Sequence, residues 1–491
     1  MSMDMGMTIQ KRANHKRWLL SGMVLMTARC LAAGVEFHPY VGGGFTYTDN
    51  IDRVSEGQQG SLISDISAGI STDIQGVDGT VDLDYELNQL IYSHDSNNNE
   101  TYQTLSFAAD KGINRTGFRI NADASIENIA RAVDQNANAD ILSGDTIENK
   151  DASLGVNYHS NPRSKIDLSA KAYTDIVNNE DDIGNYNGYG AEFSFANGST
   201  VKKVFWKIDG SYQYKESRDN EDDTAFTLFR QDFGLQTLSG WVPFIRLNFE
   251  DYEGTTDADS ADSLSWGPGL KYFWTKRSYL ELSYNFSEDD NNPDFWAGAV
   301  NINPTPRTRL FVSYDKRFFG DAYEALLSHR SRRVNNSIRY TEEAVSFDRD
   351  LFTTGSSVEE ISLSRRLEWS SALTGRRTEY ELTIYRDERE SLDVDAEEQN
   401  DEVDGIGIAV RHRLSRRFSV AGSFDYEYYQ FTGRTLPTQN DYYRVYELEG
   451  QYQLNRHLST SLGFKHNNKS SSFEPNSYDE TRIFIDLRMQ L

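Results

Sequence analysis

The sequence predicts an all-β fold: a transmembrane antiparallel up-and-down β-barrel of about 24 strands, with an even count in the range of roughly 18 to 24. Three observations lead there. From Gly34 onward, apolar and polar residues alternate with a period of two. The breaks between these segments alternate between long acidic stretches and short turns that tend to be basic. Beyond a short run near the start, no stretch of about 20 apolar residues occurs, which excludes a helical membrane protein.

Composition sharpens this. The 491 residues have a net charge of −26 and a mean hydropathy of −0.65, values that a disordered acidic chain could share. Such chains lack aromatics, whereas here 28 Tyr and 26 Phe are spread along the whole length. Near the start, Lys11, Arg12, Lys16 and Arg17 precede the apolar run Trp18 to Met26 and the small-residue stretch Leu31-Ala32-Ala33. That order reads as a secretory signal peptide over residues 1–33, followed by the barrel over 34–491. The only cysteine, Cys30, falls inside the leader, and Arg29 before it argues against a lipoprotein signal. The exported body is then cysteine-free, without disulfide, thiolate metal site or thiol nucleophile. The leader takes a net +4 with it and leaves a charge of about −30.

The alternation is explicit in single segments. Val81, Leu83, Tyr85 and Leu87 alternate with Asp82, Asp84, Glu86 and Asn88, and Ile166, Leu168, Ala170 and Ala172 with Lys165, Asp167, Ser169 and Lys171. A soluble β-sandwich shares this period but has no reason to sort its loops at every second turn. The long set includes Asp49 to Ser61, Ala132 to Glu148, Asp387 to Asp404 and Lys465 to Asp479; the short set includes Asn303-Pro304-Thr305-Pro306-Arg307, Thr374-Gly375-Arg376-Arg377 and Leu414-Ser415-Arg416-Arg417. Short periplasmic turns, long external loops and an even strand count belong to outer-membrane barrels. The last residues, with Ile483, Ile485, Leu487, Met489 and Leu491 alternating, resemble the closing strand that the outer-membrane insertion machinery reads, with Leu491 in place of the usual aromatic.

A barrel of this size spans roughly 45 to 50 Å, so its lumen holds water, a plug or cargo. Any plug is expected from in-folded loops, such as Asp387 to Asp404, or from a partner. As a set, Tyr92, Trp206, Trp241, Trp274, Trp296 and Tyr443 fit the interfacial girdles, with packing within the sheet an equal alternative for any single one. Alternation places Asp167, Lys171, Tyr173, Arg339, Arg366, Glu379, Glu381, Arg411, Arg413, Tyr429, Glu447 and Glu449 on the lumen face, along with Tyr385. Aromatic rings beside charged hydrogen-bonding groups suit a sugar polymer sliding past; the alternative is ordinary ladders of ion pairs.

No cofactor is expected. The runs Asp219-Asn220-Glu221-Asp222-Asp223, Asp257 to Asp262 and Glu288-Asp289-Asp290 lack the Gly and distal Glu of a calcium loop, which leaves solvated loops or weak divalent bridging to lipopolysaccharide. The histidines of the exported body, His38, His94, His159, His329, His412, His457 and His466, show no Ser/His/Asp spacing, so no enzyme is expected. Strong acidity and the lack of a basic patch argue against nucleic acid.

Gly34-Val35-Glu36-Phe37-His38-Pro39-Tyr40-Val41, running into Thr46-Tyr47-Thr48-Asp49-Asn50-Ile51, resembles the start of an outer-membrane family associated with PEP-CTERM/exosortase loci and exopolysaccharide clusters. Pro304-Thr305-Pro306-Arg307-Thr308, Arg317-Phe318-Phe319-Gly320 and His329-Arg330-Ser331-Arg332-Arg333 look like that family's central signature. The resemblance implies a place in the outer membrane and a partnership with a polysaccharide export apparatus, and it transfers no catalytic residues. The expected function is a passive conduit for an exopolysaccharide. A general or solute-selective porin is the alternative, and a surface adhesin or scaffold with an occluded lumen is a third reading.

Overall fold

The computed structural model describes residues 37–491 apart from 114–115, 134–138, 162–163, 199–200, 202, 219–222, 238, 254–260, 289–292, 346–360, 393–399 and 433–437. The leader reading and most of the three acidic runs lie outside the described residues.

Among the described residues there are 24 strands. The first eight are β1 His38–Thr48, β2 Ser61–Gln75, β3 Gly79–Tyr92, β4 Glu100–Gly112, β5 Phe118–Ala130, β6 Thr146–His159, β7 Ile166–Asn179 and β8 Tyr186–Asn197. Then follow β9 Val204–Ser217, β10 Thr224–Leu235, β11 Trp241–Glu253, β12 Ala261–Phe273, β13 Tyr279–Ser287, β14 Phe295–Thr305, β15 Thr308–Arg317 and β16 Gly320–Arg330. The last are β17 Val334–Val345, β18 Ser362–Thr374, β19 Thr378–Ser391, β20 Asn400–Arg413, β21 Phe418–Thr432, β22 Gln439–Gln453, β23 Leu458–Ser471 and β24 Tyr478–Gln490. Each strand pairs antiparallel with its chain neighbour, and β1 pairs with both β2 and β24, from Tyr40 opposite Gln490 to Thr48 opposite Arg482. The sheet therefore closes and leaves no edge, the condition for strands to cross hydrocarbon with every backbone group paired.

Register carries one face around the whole ring. Val41, Phe45 and Tyr47 on β1 lie opposite Met489, Ile485 and Ile483 on β24, and the same outward face holds Ile66, Leu154, Ile245, Leu282, Trp296, Leu448 and Leu462. All of these are exposed in the isolated chain. So continuous an apolar belt is not stable in water; it is the surface that lipid covers. The alternate residues face inward, where Asp232, Arg246, Glu281, Lys469, Glu480 and Arg482 are buried.

The expected sorting of connections holds in part: the longest lie at one end and the shortest turns at the other, but several connections on both sides have six residues. At one end, 76–78, 306–307, 331–333 and 375–377 join strands in a few residues, while at the other the connections 49–60, 131–145 and 346–361 are long. On the long-loop side, however, β15 and β16 are joined by Phe318-Phe319 alone, with Gly320 at φ +111. Other expectations also shift. The short break at 303–307 is mostly strand, since β14 runs to Thr305 across a register shift and only Pro306-Arg307 turns. Most of the 387–404 break is paired strand, in β19 and β20.

Candidate functional site: the inner wall and its in-folded loop

All twelve sequence-selected residues sit at inward positions. On β7 and β8, Lys171 faces Glu192 at 3.6 Å and lies 4.6 Å from the centre of the Tyr173 ring, while Asp167, opposite Ala196, lies nearer the short-turn end. Arg366 bonds Glu368 (3.1 Å), reaches Asp387 (3.5 Å) and lies over Tyr385. Arg339 lies opposite Glu368, and Arg413 ends β20 at the short-turn side. Tyr429 and Tyr385 donate their hydroxyls to the two oxygens of Glu427, at 3.0 and 2.6 Å.

Five of the twelve come together. Glu379, Glu381, Arg411, Glu447 and Glu449 surround a hollow of about 200 Å³ floored by Ala409, Ala421, Gly422 and Ser423. A second hollow of about 230 Å³ adjoins it at Glu381 and Ala409 and is lined by Tyr385, Asp425 and Glu427. Small residues at the centre recess the wall, and carboxylates on β19, β21 and β22 flank the recess. Tyr385 lies flat because its partner across the ladder is Gly405; a methyl group there would sit 2.3 Å from the ring. Tyr173 lies on Gly190 in the same way. These joints keep the rings against the wall.

Two inward clusters escaped sequence reasoning. On β10–β13, Arg246 holds Asp232 through Nε (2.7 Å) and Nη2 (2.9 Å), and Glu281 accepts from Arg246 and from Lys271 (2.8 Å). Their positions were legible from alternation, but their pairing depends on register between strands.

The second cluster fastens the β5–β6 connection inside the ring. Asp140 accepts from Arg482 (2.5 Å) and Arg53 (3.3 Å), Ser143 donates to Glu480 (2.9 Å), and Glu480 accepts from Arg53 Nε (3.1 Å), Arg482 and Thr48 (2.8 Å). Arg53 takes φ +50, a backbone strain for a side-chained residue that its guanidinium bonds hold in place. Beside this network, Ile141 and Leu142 pack on Ile51, Ile63, Leu90 and Tyr92, and the Tyr92 hydroxyl donates to their carbonyls at 3.3 and 3.0 Å. Among the described residues the in-folded segment is thus 139–145; the centre of the expected 387–404 loop, residues 393–399, lies outside them. Tyr92 and Tyr443 are likewise inner-wall residues rather than girdle residues: both lie on the inward register, Tyr443 beside Lys469. Trp206, Trp241 and Trp296 do face outward.

Burial alone would raise the Asp140 carboxyl, but Arg482, Arg53 and Lys465 around it and the Leu142 backbone N–H hold it at about 2. A depressed carboxyl contributes attachment in full above its free value of about 4 and loses it as pH falls through about 2. Conductance of the purified barrel should therefore show no step from loop release between about pH 9 and pH 4, and a rise only on approach to pH 2. A step near pH 6 would refute this attachment.

A closed 24-strand ring with a lipid-facing apolar belt and a charged interior defines a bacterial outer-membrane β-barrel, and this chain is one. Residues 366–491 match the family described as "Putative beta-barrel porin 2". No curated protein matches the sequence. Among solved structures, the FrpB iron transporter from Neisseria meningitidis (F5-1 variant) is similar at a TM-score of 0.46 and 10% identity, over 92% of this chain and 82% of that one. The siderophore receptor PirA from Acinetobacter baumannii is similar at 0.43 and 10%, over 93% and 80%. A loop L8 deletion mutant of OmpT, an outer membrane protein of Vibrio cholerae, is similar at 0.34 and 8%, over 93% and 99%.

Proposed function

We propose that the barrel is a passive, non-catalytic conduit through which an exopolysaccharide leaves the cell, that the polymer is neutral or amine-bearing, and that an export apparatus of the kind found beside PEP-CTERM/exosortase loci delivers it. The observation that carries this reading is the carboxylate-flanked recess of Glu379, Glu381, Glu447 and Glu449 around a floor of small residues. A wide acidic wall repels polyanions, while carboxylates accept hydrogen bonds from sugar hydroxyls or pair with amines. On the outside, lipopolysaccharide is the expected lipid partner, with divalent cations bridging its phosphates to acidic loops. Deleting the gene in its native host should trap polymer in the periplasm, and the purified barrel should prefer cations in a salt gradient. Normal secretion without periplasmic polymer would defeat the proposal.

The family description over residues 366–491 favours a second reading, a solute porin. Large conductance that polymer fragments never interrupt would support that reading instead.

A further inference from the structure

The two-residue link between β15 and β16 is out of place twice over. It is the low point of a rim built from longer connections, and it puts two phenylalanines where a tight turn favours Asn, Asp or Gly. Both rings turn inward instead of into solvent. Phe318 packs on Tyr252 with centroids 4.3 Å apart, Tyr252 packs on Phe226 at 4.2 Å, and Phe319 meets Phe318 edge-on at 5.2 Å. Along one side runs a charged fork: Arg317 Nε donates to both oxygens of Glu250 (2.9 and 3.1 Å), Nη2 reaches the Tyr252 hydroxyl at 3.4 Å, and the guanidinium carbon lies 5.1 Å from the Phe319 centroid. Strand order places this cluster well around the ring from β1–β3 and β22–β24, where segment 139–145 is fastened.

An aromatic surface bordered by a planar cation and a carboxylate matches a pyranose, whose C–H face stacks on a ring while its hydroxyl edge meets the charged groups. We propose that Phe226, Tyr252, Phe318 and Phe319, with Arg317 and Glu250, form a saccharide-binding subsite at the outer mouth that takes an uncharged sugar unit of the passing chain. The subsite rests on the conduit reading, and the two fail separately.

The test uses the purified full-length barrel in planar bilayers, with maltoheptaose or an N-acetylated chito-oligosaccharide added on the long-loop side. Wild type should show transient current blocks. Combining Phe318→Ala with Phe319→Ala should shorten them about tenfold, the scale of one lost aromatic contact, with open-channel conductance unchanged. Phe318→Leu, which keeps the apolar anchor of the turn but not the ring face, should shorten them as well, and Phe318→Trp should restore them. Blocks of unchanged duration in the Ala and Leu variants overturn the subsite and leave the conduit standing. No block of wild type by either probe overturns the conduit, and the subsite with it.

Discussion

Replacing Glu480 with Ala should release segment 139–145 from the inner wall at a cost of about 3–5 kcal/mol, the scale for removing one partner from a buried ion network. Glu480 is fully buried and accepts from Thr48, Arg53, Ser143, Asn467 and Arg482, so its loss removes the carboxylate that the Arg53 and Arg482 guanidinium groups share. The ring itself, held by ladders on both sides of β24, should survive. Limited proteolysis of the detergent-solubilised protein should then cut within 139–145, and single-channel conductance should rise. Resistance to cleavage together with unchanged conductance would rule out the network as the fastening.

The second large effect concerns the outward face. Leu462 on β23 is 60% exposed in the isolated chain, lies opposite Ile485, and sits within the lipid belt. Leu462→Arg should cost about 2–4 kcal/mol, as a charge near the bilayer midplane does. Its neighbour Ser461 faces inward beside Asp486 at 3.2 Å, so Ser461→Arg gains a partner and should cost no more than about 0.5 kcal/mol. Urea-dependent folding into lipid vesicles measures both. Equal costs would mean that the two faces have been assigned the wrong way round.

Legibility followed the physics of each feature. A period of two fixes which face a residue takes once its strand is recognised, so all twelve inner-wall residues could be placed without partners in view. Strand ends were less legible. Charged residues such as Arg386 and Glu402 look like loop, yet they pair at 2.8 Å on the outer face of β19 and β20 where the sheet continues past the apolar belt. The girdle assignment of Tyr92 and Tyr443 failed because aromatic type was weighed above parity. Each stands at an even or odd step that its own strand turns inward. The fastening of Asp140 was out of reach of the sequence, because Arg53 and Arg482 come from segments 87 and 342 residues away.

Every seam but one joins consecutive strands and forms as a hairpin of small sequence separation. The last, between β1 and β24, brings together groups such as Thr48 and Glu480, which stand 432 residues apart. For a flexible chain, closing a contact of that separation carries a larger entropy cost than any hairpin seam does. The fully buried Glu480, with Thr48 and Arg53 bonded to it across that seam, supplies a clasp where the polymer physics of the chain resists closure most.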